Sequence, residues 1–219
     1  MHVIWGVGVS TTPSCPTTPV VGRADVGGGP RIVVVMRVVA GELGGRRLVA
    51  PGGTSTRPTT DRVREAVFNS LGSHGVLDGA IVVDLFAGSG AIGIEALSRG
   101  AERCIFVERD RAALRALEEN LDTLDLHDRS KVVAADAVTA AASVDADIVF
   151  ADPPYDFDDW ERLLARVSAD LVVAESGERI EPVAGWTVTR EKRYGRTRVT
   201  FLERQTASGA VADVGSGSP

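Results

Sequence analysis

The chain has little cysteine, little histidine and no long apolar run, and each shortage narrows what it can be. Cys15 and Cys104 are the only two cysteines in 219 residues. They have no paired spacing, which argues against a disulfide framework and a zinc site and suits a reducing, cytoplasmic setting. His2, His74 and His127 are scattered without metal-ligand spacing, so no metal is expected. Apolar runs such as residues 32–36 and 81–83 soon meet charge or glycine. They fall far short of the roughly 18 residues that span a bilayer, so no membrane partner is expected. The first ten residues lack a basic start and are broken by Gly6 and Gly8, which is a poor secretory signal. With 44% hydrophobic and 25% charged residues, the chain can bury one good core and hardly two. One main domain, monomeric, is the expectation.

Positive charge is scarce overall, yet it is not evenly scarce. The net charge of −6 argues against a polyanionic partner until the charges are placed along the chain. Between residues 36 and 64, Arg37, Arg46, Arg47, Arg57, Arg62 and Arg64 face only Glu42 and Asp61. Between residues 190 and 204, six cations face only Glu191 and Glu203. Two basic segments thus project from a strongly acidic body. The first is the candidate nucleic-acid contact, and a merely solvated face is the alternative.

Breakers and apolar periods divide the chain. Residues 1–35, rich in Gly, Pro, Thr and Val, hold no sustained period and end at an internal Met36, so they read as a disordered extension. Residues 37–40 and 46–50 flank Gly44-Gly45 as a short hairpin, followed by a Pro/Gly/Thr loop to residue 60. A helix is predicted over 61–73 through Val63, Ala66, Val67 and Leu71, with Thr60 as its N-cap. From residue 81 short β-branched runs alternate with helical segments: strands at 81–86, 104–108, 131–135, 147–151 and 171–175, helices at 91–99, 110–124 and 156–167. That alternation predicts an α/β fold with a Rossmann-like, doubly wound, mostly parallel sheet. Residues 186–194 and 196–204 alternate and meet at Gly195, which predicts an antiparallel C-terminal hairpin. The combination fits a class I methyltransferase fold better than a dehydrogenase. The main domain would run over 61–205, preceded by the basic hairpin and loop of 36–60 and followed by a disordered tail, 206–219.

The first chemical motif is Asp84-Leu85-Phe86-Ala87-Gly88-Ser89-Gly90-Ala91-Ile92-Gly93, where a strand turns into a helix. Such glycines let backbone approach a ligand lying across the carboxyl ends of the strands. Gly88 to Gly93 also satisfies a dinucleotide pattern, and Glu108, twenty residues after Gly88, can accept from a ribose diol in either case. Asp84 tilts the balance. A carboxylate there meets the cationic amino-acid end of S-adenosylmethionine and would repel a pyrophosphate. Phe86 and Arg109, beside the loop and beside Glu108, complete the candidate cofactor set with Asp136 and Ala137, which follow the third parallel strand.

The second motif is Asp152-Pro153-Pro154-Tyr155, after the fourth parallel strand, so it opens into the same crevice. An exocyclic base amine is a poor nucleophile, because its lone pair is delocalised into the ring. Two acceptors aimed at its N–H groups draw the nitrogen toward an attacking shape. Asp152 supplies one from its side chain, and Pro153, held extended by Pro154, supplies its carbonyl oxygen. Tyr155 offers a face on which a base stacks. Asp-Pro-Pro can also simply end a strand.

Asp-Pro-Pro-Tyr with the glycine loop resembles the amino-methyltransferases that act on DNA, RNA and protein amides. Arg57-Pro58-Thr59-Thr60-Asp61-Arg62-Val63-Arg64-Glu65-Ala66-Val67-Phe68-Asn69 resembles one branch, the bacterial 16S ribosomal RNA (guanine(966)-N2)-methyltransferase family, from about residue 36 to about 204. The opening Met36-Arg37-Val38-Val39-Ala40-Gly41 and the turn Tyr194-Gly195-Arg196-Thr197 are also similar. The resemblance implies that Asp84, Gly88 and Gly90 cradle the methionine end, Glu108 the ribose, Asp136 and Ala137 the adenine, and Asp152 to Tyr155 the guanine. It implies direct transfer from S-adenosylmethionine to guanine N2, on 16S ribosomal RNA within small-subunit particles, with Arg37 to Arg64 gripping phosphates. A DNA or RNA adenine-N6 methyltransferase would use the same four residues, but DNA enzymes usually need a target-recognition insertion that this chain lacks. A release-factor glutamine methyltransferase prefers Asn where Asp152 stands. An NAD-dependent oxidoreductase would leave Asp152 to Tyr155 idle, and a non-catalytic RNA-binding module would explain only the arginines.

Overall fold

The structure, a computed structural model, describes residues 36–51, 61–72 and 75–205. Expectations placed on residues 1–35, on the loop containing Arg57 and Thr60, and on the tail from residue 206 lie outside the described residues. The chain first forms a short antiparallel pair, β1 (Met36–Arg37) and β2 (Arg47–Leu48), and helix α1 (Asp61–Gly72). Strands and helices then alternate as β3 (Ile81–Leu85), α2 (Ala91–Ser98), β4 (Arg103–Glu108), α3 (Arg111–Leu124), β5 (Ser130–Ala134), α4 (Ala137–Ala140), β6 (Ile148–Ala151), α5 (Trp160–Leu164) and β7 (Leu171–Ser176). The hairpin β8 (Trp186–Tyr194) and β9 (Thr197–Arg204) follows.

One seven-stranded sheet results, in the order β5-β4-β3-β6-β7-β9-β8. β3 pairs in parallel with both β4 and β6, so the strand order reverses beside it, and a crevice opens there at the carboxyl ends. β9 lies antiparallel between β7 and β8, which is the predicted hairpin. Period-two alternation sends β3 side chains to two cores. Val82 joins Phe68 of α1, Leu97 of α2 and Leu121 of α3 on one face. Val83 and Leu85 join Val138 of α4 and Leu163 of α5 on the other.

Three local differences from the sequence reading have physical causes. The N-terminal strands are only two residues long, because beyond them the backbone bonds to the body. Val39 and Ala40 N–H groups donate to Glu95 of α2 at 2.6 and 3.1 Å, and Leu43 N–H to the Ser98 hydroxyl at 3.0 Å. Further along, Asn120 of α3 accepts from Val49 N–H at 2.7 Å and donates to its carbonyl at 3.0 Å. The helix predicted over 156–167 shrinks to α5, since Phe157 closes a turn onto the Pro154 carbonyl at 2.9 Å and packs its ring on Phe86. Helix α4 was not foreseen. Asp136 caps it by accepting from Thr139 N–H at 3.1 Å.

Candidate active site

A cleft of about 1850 Å³ opens at the carboxyl ends of the parallel strands, lined among others by Gly88, Glu108, Asp152, Pro153 and Tyr155. Single small-molecule sites are typically about 300–1,000 Å³, so this one has room for a cofactor and a second, base-sized group. The two motifs that the sequence places apart therefore share one space.

The glycine loop is built for close approach. Gly88 and Gly90 take φ of 57° and 82°, a region that side chains rarely adopt. Around Gly88 nothing lies within 4 Å of where a Cβ would stand, so its backbone is bare toward the cleft. Gly90 is buried, and a Cβ there would sit 2.4 Å from Leu117 Cδ1. It shapes the turn without lining the cleft. Phe86, at φ 62°, is a non-glycine residue in the left-handed region. Its ring meets Phe157 edge-on at 5.3 Å, and Phe157 meets Trp160 at 5.1 Å, a stack that fastens the loop to the segment after Tyr155.

Beneath the loop the site is acidic. Asp84 is 1% exposed, and its carboxylate accepts from Gly93 N–H at 2.9 Å, across the first turn of α2. Burial pushes its pKa up to about 7 despite that hydrogen bond, and the charges of Asp152 and Glu108 push the same way. Asp84 thus sits under the cleft as a brace rather than in its wall. Glu108 lines the wall and is itself held. One carboxylate oxygen accepts from Gly88 N–H at 2.8 Å, the other from Arg109 and Asp110 N–H at 2.7 Å each. Arg109, exposed, pairs with Asp136 at 3.2 Å, and the hydrogen bonds from Thr139 hold the Asp136 carboxyl below its usual pKa. Ala137 lines the cleft while the Asp136 side chain is engaged as a helix cap.

The far wall comes from the ends of β6 and β7. Ala151 pairs with Ala174, so Asp152 and Glu175 follow on neighbouring strands, both lining the cleft. Sequence reasoning passed over Glu175, treating it as the last residue of a strand. The signal available was a carboxylate at the same strand end as Asp152. Gly177 was missed too: a Cβ there would stand 3.3 Å from the Tyr155 ring, so glycine leaves that ring its place. Tyr155 lines the cleft and is 60% exposed.

The basic segment divides. Arg64 corrects an expectation, because it is 1% exposed and its guanidinium donates to the Arg37 carbonyl and to Asp61, 3.7 Å from the buried Glu95. Placed there, it cannot meet a phosphate. Arg37 and Arg46 are exposed but donate to the Gly45 and Thr123 carbonyls at 3.0 and 3.1 Å. Arg47 is exposed, and Arg62 is exposed and lines the cleft. Among the described residues no cluster of His, Cys, Asp and Glu could hold a metal ion, and no helix is long and apolar enough to cross a membrane.

Comparison with known proteins places the chain in a family. Residues 36–203 match the family described as "Conserved hypothetical protein 95". The chain is 41% identical over 185 residues to "Putative rRNA methyltransferase YlbH" of Bacillus subtilis (strain 168), covering 78% of this chain and 100% of that protein. It is 35% identical over 194 residues to "Ribosomal RNA small subunit methyltransferase D" of Escherichia coli (strain K12), covering 81% and 94%. Among solved structures, "Putative methyltransferase yhhF" from Escherichia coli superposes with a TM-score of 0.69 at 37% identity, over 78% of this chain and 98% of that one.

Proposed function

The chain belongs to the family described as Conserved hypothetical protein 95, and on that premise we propose that it is an S-adenosylmethionine-dependent methyltransferase acting on the N2 amine of a guanine in 16S ribosomal RNA. The observation that carries this reading is the meeting of Asp152-Pro153-Pro154-Tyr155 with the bare backbone of Gly88 in one cleft. Small-subunit ribosomal RNA as the substrate is in line with the name of the Escherichia coli relative, and we read the substrate as that RNA within assembled particles and the enzyme as a monomer.

The site fits a cationic cofactor. Glu108 and Asp152 stand close enough to Asp84 to raise its proton affinity, and a site so lined with carboxylates attracts ammonium and sulfonium groups and repels the pyrophosphate of a dinucleotide. Gly88 would let the methionine end approach. Ribose recognition by Glu108 requires sharing, because its oxygens already accept three backbone N–H groups, leaving about one of four acceptor positions. When bound, S-adenosylmethionine supplies an electrophilic methyl group and leaves as a neutral thioether.

The remaining chemistry belongs to the chain. Asp152 and the Pro153 carbonyl accept from the exocyclic amine and orient its nitrogen for in-line attack. Tyr155 stacks on the base. Glu175 favours guanine over adenine: guanine presents adjacent N1–H and N2–H donors, which two neighbouring carboxylates can accept, whereas adenine would turn the N1 lone pair toward one of them. The proton released after transfer passes to Asp152 or to water, with no histidine needed. The test is incubation of the purified protein with methyl-labelled S-adenosylmethionine and small-subunit particles, followed by nucleoside mass spectrometry. Label in N2-methylguanosine is expected. Label in N6-methyladenosine would replace the guanine reading, and unlabelled RNA would contradict the RNA reading altogether.

A further inference from the structure

Resting on the RNA reading above, we propose that the turn of the β8–β9 hairpin, with Lys192, Arg193 and Arg196, grips the RNA phosphates that flank the target base. Position is the first ground. Tyr194, Gly195 and Thr197 line the cleft, so the turn is part of the wall past which the base must enter. Charge is the second. Three of the six cations between residues 190 and 204 are committed to the fold. Arg190 donates to the Ser70 hydroxyl and lies over Phe201, Arg198 pairs with Glu191 at 2.8 Å, and Arg204 donates to the Val167 and Ala169 carbonyls with its guanidinium over Trp186. Lys192, Arg193 and Arg196 are exposed and form no ion pair among the described residues. Arg193 spends one N–H on the Gly195 carbonyl across the turn, leaving most of its five donors.

The third ground is the acidity of the cleft itself. With Glu108, Asp152 and Glu175 on its walls, a phosphodiester entering the cleft would be repelled, so the base enters while the backbone stays at the rim. Rim cations must then supply the attraction. The N-terminal basic segment contributes less than its composition suggests, since Arg64 is buried on α1 and Arg37 and Arg46 already hold carbonyls. The competing explanation is that β8, an edge strand, carries cations to deter edge-to-edge pairing. That explanation predicts altered solubility with unaltered RNA binding.

The experiment is a salt titration of 16S RNA binding by the full chain and by the triple variant Lys192→Gln, Arg193→Gln, Arg196→Gln, with S-adenosylhomocysteine affinity as the control for folding. The account expects the slope of log K against log salt to flatten by about two to three, at roughly 0.7–0.9 per phosphate contact, with cofactor affinity unchanged. Parallel slopes, with or without a change in solubility, overturn the proposal while leaving the methyltransferase reading intact. A wild-type protein that binds S-adenosylhomocysteine but no RNA overturns both. Should the triple variant lose cofactor binding, the single variant Arg196→Gln decides instead, with a flattening of about one expected and none overturning the proposal.

Discussion

At the scale of single residues, Asp84 is the most informative titratable group. Its folded pKa of about 7 lies above the ordinary 3.8 because burial penalises the charged form, and Asp152 and Glu108 add to this. Between those values the folded chain holds a proton that the unfolded chain has released. The contribution of Asp84 to stability therefore declines as pH rises from about 4 to about 7 and levels off above, by at most on the order of 4 kcal/mol. Asp84→Asn keeps an acceptor for Gly93 N–H and removes the titration. Urea unfolding of both proteins should show the variant gaining on the wild type across that window, and a constant difference would remove Asp84 as the cause. A cation bound above the loop favours the ionised form, so S-adenosylmethionine affinity should weaken below about pH 7 in the wild type and change less in the variant.

At the scale of elements, a buried carboxylate is one of the groups whose bonds join the N-terminal hairpin to the body, beside Ser98 and Asn120. Glu95, fully buried on α2, accepts from Val39 and Ala40 N–H, pairs with Arg99 at 2.6 Å and lies 3.7 Å from Arg64. Replacing it by alanine strands two backbone donors and takes the carboxylate from beside Arg64 and Arg99. The expected loss is about 3–5 kcal/mol, a fall in Tm of roughly 10 °C by calorimetry. A fall of a degree or two would mean that the apolar contacts at Met36, Val38 and Leu48, with the Ser98 and Asn120 hydrogen bonds, suffice to hold the hairpin. This clasp also marks the limit of what the sequence made legible. The strands and the long helix α3 were readable from period, because each is decided by neighbours two, three or four positions away. Arg64 was not, since nothing local distinguishes a surface arginine on α1 from one whose partner waits on α2, thirty-one residues on. Helix α4 is too short to show a period, and Phe157 left the helical pattern for a ring contact with Phe86, seventy-one residues earlier. Within the site, the motifs at Gly88 and Asp152 announced themselves, whereas Glu175 became visible only once β7 lay beside β6.

At the scale of the whole molecule, the fold and the ligand should be linked. A ligand that binds only the folded chain stabilises it by about 2.7 kcal/mol at a hundred times its Kd. S-adenosylhomocysteine at that excess should raise Tm by several degrees, while NADH at equal concentration should not, because the acidic site disfavours its pyrophosphate. Equal shifts with both ligands would reopen the dinucleotide reading. Whether the cleft between Gly88 and Asp152 methylates guanine N2 in 16S ribosomal RNA is decided by nucleoside mass spectrometry of that RNA. The RNA would come from cells lacking the gene and complemented with either the wild type or Asp152→Ala. Loss of an acceptor at the reacting amine costs on the order of 10²-fold or more in rate. The account predicts N2-methylguanosine missing at one position without the gene, restored by the wild type and not by Asp152→Ala. An unchanged methylation pattern without the gene, or full restoration by Asp152→Ala, would contradict it.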